Sequence, residues 1–150
     1  MAHGMPYPML IDLAQRELDA AASAMGELQR RRDALAQQGE GLDAFRGEYR
    51  TRLSGATGQG ITMGEWRNFE AFLGSLDTAM TRQGAKLAAL DAQIAQALAV
   101  WRDKKRKLNS FQALAERAER QAEARRARVL QREIDEFAAR RALSRARDGA

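Results

Sequence analysis

Ser54-Gly55-Ala56-Thr57-Gly58-Gln59-Gly60-Ile61-Thr62-Met63-Gly64-Glu65-Trp66 is the stretch that decides how this chain folds. Residues 55–60 hold three glycines in six positions, a density that ends a helix and permits a tight reversal. Thr62 is followed three residues later by Glu65. That T-x-x-E pattern is a capping box, in which side chains satisfy the free amides of a new helix start. The stretch therefore reads as the end of one helix, a turn over 54–61, and the start of a second helix.

On its N-terminal side, residues recur in alternating steps of four and three: Ala14, Leu18, Ala21, Met25, Leu28, Arg32, Leu35, Gly39, Leu42, Arg46, Tyr49, Leu53. This is a heptad seam, the mark of a coiled coil, with Arg32, Gly39 and Arg46 interrupting its apolar character. On the other side the same alternation runs through Trp66, Phe69, Leu73, Leu76, Met80, Gln83, Leu87, Leu90, Ile94, Ala97, Trp101, Lys104, Leu108 and Phe111. Two seams joined by so short a turn fold back on each other. The expected fold is thus all-α, a two-helix antiparallel coiled-coil hairpin forming a single domain over 1–150. Helix 1 is expected from about 8 to 53, and helix 2 from about 63 to 145. Placing the turn at 54–61 pairs Leu53 with Trp66, Tyr49 with Phe69, Leu42 with Leu76 and Leu18 with Trp101. Helix 1 is then used up near Phe111, and residues 112–150 overhang as a basic C-terminal segment. There the seam thins to Ala115, Ala118 and Ala122, then returns shifted as Leu130, Ile134 and Phe137. A lone helix with a weak apolar stripe is marginal in water.

Composition agrees with long helices. Charged residues make up 30% of the chain and aromatics only 6%, and both prolines, Pro6 and Pro8, lie near the start, so none interrupts a helix interior. The net charge of +5 is unevenly spread. Residues 101–150 hold 15 Lys/Arg against 8 Asp/Glu, leaving the first hundred slightly acidic, so one part of the molecule favours anionic partners. Residues 1–12 lack the basic and apolar regions of a signal peptide, and no apolar run reaches the roughly 20 residues of a membrane span. A cytoplasmic location, or at most one peripheral to a membrane, is expected.

Little in the chain can carry chemistry. It has no cysteine, hence no disulfide, thiolate ligand or thiol nucleophile. The only histidine, His3, sits in a terminal stretch expected to fray and is read as no ligand. Gly55–Gly60 lacks the G-K-[ST] ending of a phosphate loop. Glu133, Asp135 and Glu136 are interleaved with Arg132, Arg140 and Arg141 and read as solvated or ion-paired. No metal site, no cofactor and no enzymatic activity are expected. The run Arg102-Asp103-Lys104-Lys105-Arg106-Lys107 could hold nucleic-acid phosphates, but a solvated coiled-coil face, with lysine stems over the seam, accounts for it better.

The anomaly lies near the turn. Phe45 and Phe72 fall beside the seam rather than on it. With Leu42, Tyr49 and Leu76 they either widen the apolar stripe into a binding patch or are buried by a slight rotation of the seam.

Several segments along nearly the whole chain carry a further likeness. They are Asp12-Leu13-Ala14 with Glu17 and Ala21-Ala22; Gly26-Glu27; Glu48-Tyr49-Arg50; Gly60-Ile61-Thr62 with Trp66 and Asn68; Trp101-Arg102-Asp103-Lys104-Lys105; and Asp135-Glu136-Phe137-Ala138. Together they resemble the flagellar export protein FliJ family. The resemblance implies a soluble central-stalk component of the flagellar type III protein export apparatus, serving flagellum biogenesis, motility and chemotaxis. It further implies binding in the pore of the export ATPase (FliI) hexamer, promotion of that hexamer's assembly, coupling to the export-gate protein FlhA, and an escort role for export chaperones. The location implied is cytoplasmic, peripheral to the inner face of the cell membrane at the flagellar base, and the chain is expected to be a monomer that binds no nucleic acid. Carried over position by position, the gate-binding surface is Gln38, Leu42, Phe45, Tyr49, Phe72, Leu76, Ala79 and Gln83. The ATPase-binding set is Leu10, Leu13, Glu17, Trp101, Arg117 and Arg120. Other readings of the same fold are an injectisome stalk, an escort without mechanical role, and a nucleic-acid-binding coiled coil.

Overall fold

The computed structural model describes residues 6–149; His3 lies outside them. The chain is all-α, two helices in an antiparallel hairpin: α1 spans Tyr7–Gln59 and α2 spans Met63–Asp148. At the start of α1 the Pro6 carbonyl accepts from the Met9 and Leu10 amides, each at 3.1 Å. Pro8 costs no hydrogen bond there, because amides in the first turn have no intrahelical acceptor.

α1 does not stop at Leu53. It continues through Gln59, and the reversal needs only Gly60, Ile61 and Thr62. Gly55 and Gly58 stay helical; the single positive φ among the described residues is that of Gly60, at 85°. A left-handed residue after the last helical turn is the usual C-terminal stop, and glycine takes it without a Cβ penalty. The Gly60 amide donates to the Thr57 carbonyl at 3.2 Å, and the Thr57 hydroxyl donates to the Leu53 carbonyl at 2.6 Å. α2 starts as its capping residue requires, with the Glu65 amide donating to Thr62 Oγ1 at 3.1 Å.

The chain divides into two compact units. One is Glu17–Lys104; the other joins the described parts of Met1–Arg16 and Lys105–Ala150. In the first, every expected seam residue from Leu18 to Leu53 and from Trp66 to Lys104 is buried or half-buried. Ion pairs fix the register: Arg46 with Asp77 at 3.1 Å, Arg32 with Asp91 at 2.7 Å, Glu17 with Lys104 at 3.3 Å. Two heptads back along α1, from Arg46 to Arg32, match two heptads forward along α2, from Asp77 to Asp91. This pairing runs about one helical turn further along α2 than a turn at 54–61 implies. The physical reason is the longer α1, which moves the reversal to residues 60–62.

In the second unit Ala14 and Leu108 are buried, and Leu10, Ile11, Phe111, Ala115, Ala118 and Ala122 are half-buried. Tyr7 and Pro8 share a groove with Ala115, Ala118 and Ala122. Small side chains let the start of α1 cover α2 as far as Ala122, so the uncovered segment begins after that residue, not at 112. From 123 to 149 every residue is exposed.

Candidate protein-binding surfaces

Phe45 and Phe72 are not buried by rotation of the seam. They remain 43% and 37% exposed and stand edge to face, ring centroids 5.9 Å apart. Tyr49 completes the group, 4.3 Å from Phe72, 6.2 Å from Phe45 and 5.1 Å from Phe69. Offset and edge-on ring pairs at such distances are favourable beyond their buried area. The four rings pack on one another and leave Phe45 and Phe72 partly exposed.

The remaining carried-over residues lie next to this cluster. Gln38, Leu42, Ala79 and Gln83 line a shallow groove of about 240 Å³ with Leu35, Arg82 and Lys86. Two of the carried-over residues differ from the rest. Leu76 is only 7% exposed and belongs to the packed seam. Gln83 turns inward, its amide donating to the Leu35 carbonyl of α1. It does so across Gly39, where an added Cβ would overlap the Gln83 amide. Phe69, read from the sequence as the seam partner of Tyr49, joins the ring cluster, and Arg82 and Lys86 join the groove although sequence reading did not single them out. Arg46, bound to Asp43 at 2.9 Å and Asp77 at 3.1 Å, flanks it. The hydrogen bond to Asp77 is the main cause holding the Arg46 guanidinium above its ordinary pKa, as the one to Asp91 does for Arg32.

The other carried-over set falls in both units. Leu10, Leu13, Arg117 and Arg120 belong to the unit that holds the chain's ends, and Glu17 and Trp101 to the unit Glu17–Lys104. Leu13, Arg117 and Arg120 are exposed; Leu10, Glu17 and Trp101 are half-buried. Within the basic run, Lys104 is paired with Glu17, and the Lys107 ammonium lies 6.0 Å from the Phe111 ring centroid. Further on, Val129, Leu130, Ile134, Phe137 and Leu143 are half or more exposed, Phe137 at 64%. They stand among arginines, with Arg126 bound to Glu119 and Arg140 to Glu136. Among the described residues no group of acidic or histidine side chains could hold a metal ion, and no helix is long and apolar enough to cross a membrane.

The family model described as "Flagellar FliJ protein" matches residues 3–147. The chain belongs to this family. Among curated relatives, the flagellar FliJ protein of Escherichia coli (strain K12) is 34% identical over 143 residues, covering 95% of this chain and 97% of the relative. That of Salmonella typhi is 33% identical with the same coverage. The FliJ match spans both helices, the Gly60–Thr62 turn and the exposed segment after Ala122, so aromatic patch and basic segment alike lie inside the family's extent.

Proposed function

We propose that this FliJ family member is a non-catalytic stalk component of the flagellar type III export apparatus, a monomer that promotes assembly of the export ATPase hexamer and couples it to the export gate. Family membership makes it a component of flagellar protein export, in the service of flagellum biogenesis and motility. The observation that carries the finer reading is the pair of unlike surfaces. Phe45, Tyr49 and Phe72 form an exposed aromatic anchor of the kind that dominates protein–protein affinity. Along α2 from Lys105 onward the surface is instead basic: Arg117 and Arg120 are exposed, and 123–148 is an exposed, arginine-rich stretch with a thin apolar stripe. The first suits a specific dock on the gate protein FlhA. The second suits shallow, screened contacts inside the ring of the ATPase FliI, where an axle must not lock onto one subunit. Such a component works on the cytoplasmic side, peripheral to the membrane at the flagellar base. The family match favours the flagellar apparatus over an injectisome.

The test is a titration of the cognate export ATPase with this chain, following ATP hydrolysis and hexamer formation at two salt concentrations. Saturable stimulation near one chain per six ATPase subunits is the expected result. No stimulation and no binding would remove the motor role and leave chaperone escort as the function to pursue.

A further inference from the structure

Three seam positions of α1, one heptad apart, are not apolar: Arg32, Gly39 and Arg46. Each meets a polar group of α2. Arg32 donates to Asp91 at 2.7 Å, and Arg46 to Asp77 at 3.1 Å. Over Gly39 the Gln83 amide reaches the Leu35 carbonyl. Exposed ion pairs contribute little to stability, and polar seam residues cost packing. Their use in coiled coils is to specify one register among several.

Over its four central layers the apolar seam alone does not specify it. In the register of the ion pairs, Leu28, Leu35, Leu42 and Tyr49 face Ile94, Leu87, Met80 and Leu73. Slide α2 one heptad toward the turn, and the same four face Trp101, Ile94, Leu87 and Met80, apolar against apolar again. Slide it one heptad the other way, and they face Leu87, Met80, Leu73 and Trp66, which is apolar too. Slack for either slide exists: Ser54–Gln59 is a helical end containing Gly55 and Gly58, with nothing within 4 Å of either glycine's missing Cβ. Such a turn melts readily and releases nearly one heptad of chain. The polar set does not survive either slide. In the first, Arg46 would face Gly84, Arg32 would face Leu98, and Gly39 would face Leu90. In the second, Arg46 alone would find an acid, Glu70, while Arg32 would face Gly84 and Gly39 would face Leu76.

We propose that Arg32–Asp91, Gly39 with Gln83, and Arg46–Asp77 form a register lock, a set of positioning residues that fixes which residues of α2 stand beside the α1 half of the aromatic patch. Without it, the Tyr49–Phe72 contact belongs to one of three arrangements whose four central layers are all apolar. The lock is a property of the free chain and holds whatever partner the patch binds.

Because the chain has no cysteine, register can be read by disulfide trapping. Leu28→Cys with Ile94→Cys reports the observed register. Leu28→Cys with Trp101→Cys, and Leu28→Cys with Leu87→Cys, report the two slid ones. In the otherwise unchanged chain the first pair is expected to oxidise and the other two to stay reduced. With Arg32→Ala, Gln83→Ala and Arg46→Ala together, at least one slid pair should gain tenfold or more relative to the first while circular dichroism stays helical. Trapping confined to the first pair in that helical variant would overturn the lock. If the triple variant loses its helical signal, charge exchange decides. Arg32→Asp and Arg46→Asp alone should raise a slid trap, and adding Asp91→Arg and Asp77→Arg should restore the original ratio. Exchanged chains that trap like the one-sided reversals, or reversals that leave the ratio unchanged, would equally overturn it.

Discussion

Gly60 and Gly58 are two residues apart and answer opposite demands. Gly60 holds φ at 85°, where a Cβ meets the backbone. Gly60→Ala should therefore cost about 1 kcal/mol. Gly58 is an ordinary helical residue with open space where its Cβ would be, so Gly58→Ala should stabilise by about 0.5–1 kcal/mol. Thermal unfolding followed by circular dichroism compares the two, and shifts of the same sign would contradict the turn described. Leu76 and Phe72 form a second contrasting pair. Leu76 is buried in the seam and Phe72 is not. Leu76→Ala should lower stability by about 2 kcal/mol or more, the low end for a buried leucine. Phe72→Ala should cost less, about 1 kcal/mol for its lost ring contacts with Tyr49 and Phe45, and weaken gate binding by tenfold or more, as loss of an interface anchor does. Equilibrium unfolding beside a binding isotherm on the cytoplasmic part of FlhA separates the two effects.

The helices show what a heptad reveals and what it hides. Each seam residue inferred from the four–three alternation is buried or half-buried from Ala14 to Leu53 and from Trp66 to Phe111, because one stripe of a helix must face its partner whatever the details. The end of α1 was not legible. A glycine costs a helix only about 1 kcal/mol, which six further residues with intact backbone hydrogen bonds can offset, so the stop falls at Gly60, whose φ is positive. That shift carried the register about one turn along α2 and the edge of the uncovered segment to Ala122. Of the candidate surface, Phe45 and Phe72 were legible as apolar residues off the seam. The inward turn of Gln83 was not, since it depends on a glycine 44 positions away on the other helix. The same elements differ in protection. From 123 to 149 every residue is exposed, and a helix without tertiary support is marginal. Hydrogen exchange should find these amides exchanging orders of magnitude faster than those around Ala14 and Leu108, the buried residues of the same unit. Equal protection in the monomer would mean that 123–149 has a cover absent from the hairpin.

In the function proposed above, charge and aromatic surface serve different partners. The aromatic patch draws on Phe45, Tyr49, Phe69 and Phe72, all within the slightly acidic first hundred residues, while the excess of positive charge lies beyond residue 100. Burial of rings is nearly indifferent to salt, whereas contacts between exposed charges are screened over about 10 Å at 0.1 M ionic strength. The two partners should therefore respond differently to the same change of buffer. Raising salt from 0.05 to about 0.5 M, where screening is much shorter, should weaken ATPase binding several-fold and leave gate binding almost unchanged. Arg117→Glu with Arg120→Glu, both exposed, should act in the same direction as high salt on the ATPase and have no effect on the gate. Titrations of both partners against the unchanged and charge-reversed chains provide the comparison. If salt and charge reversal weakened both partners alike, the division between an electrostatic contact and an aromatic one would be wrong, and both would have to share one surface.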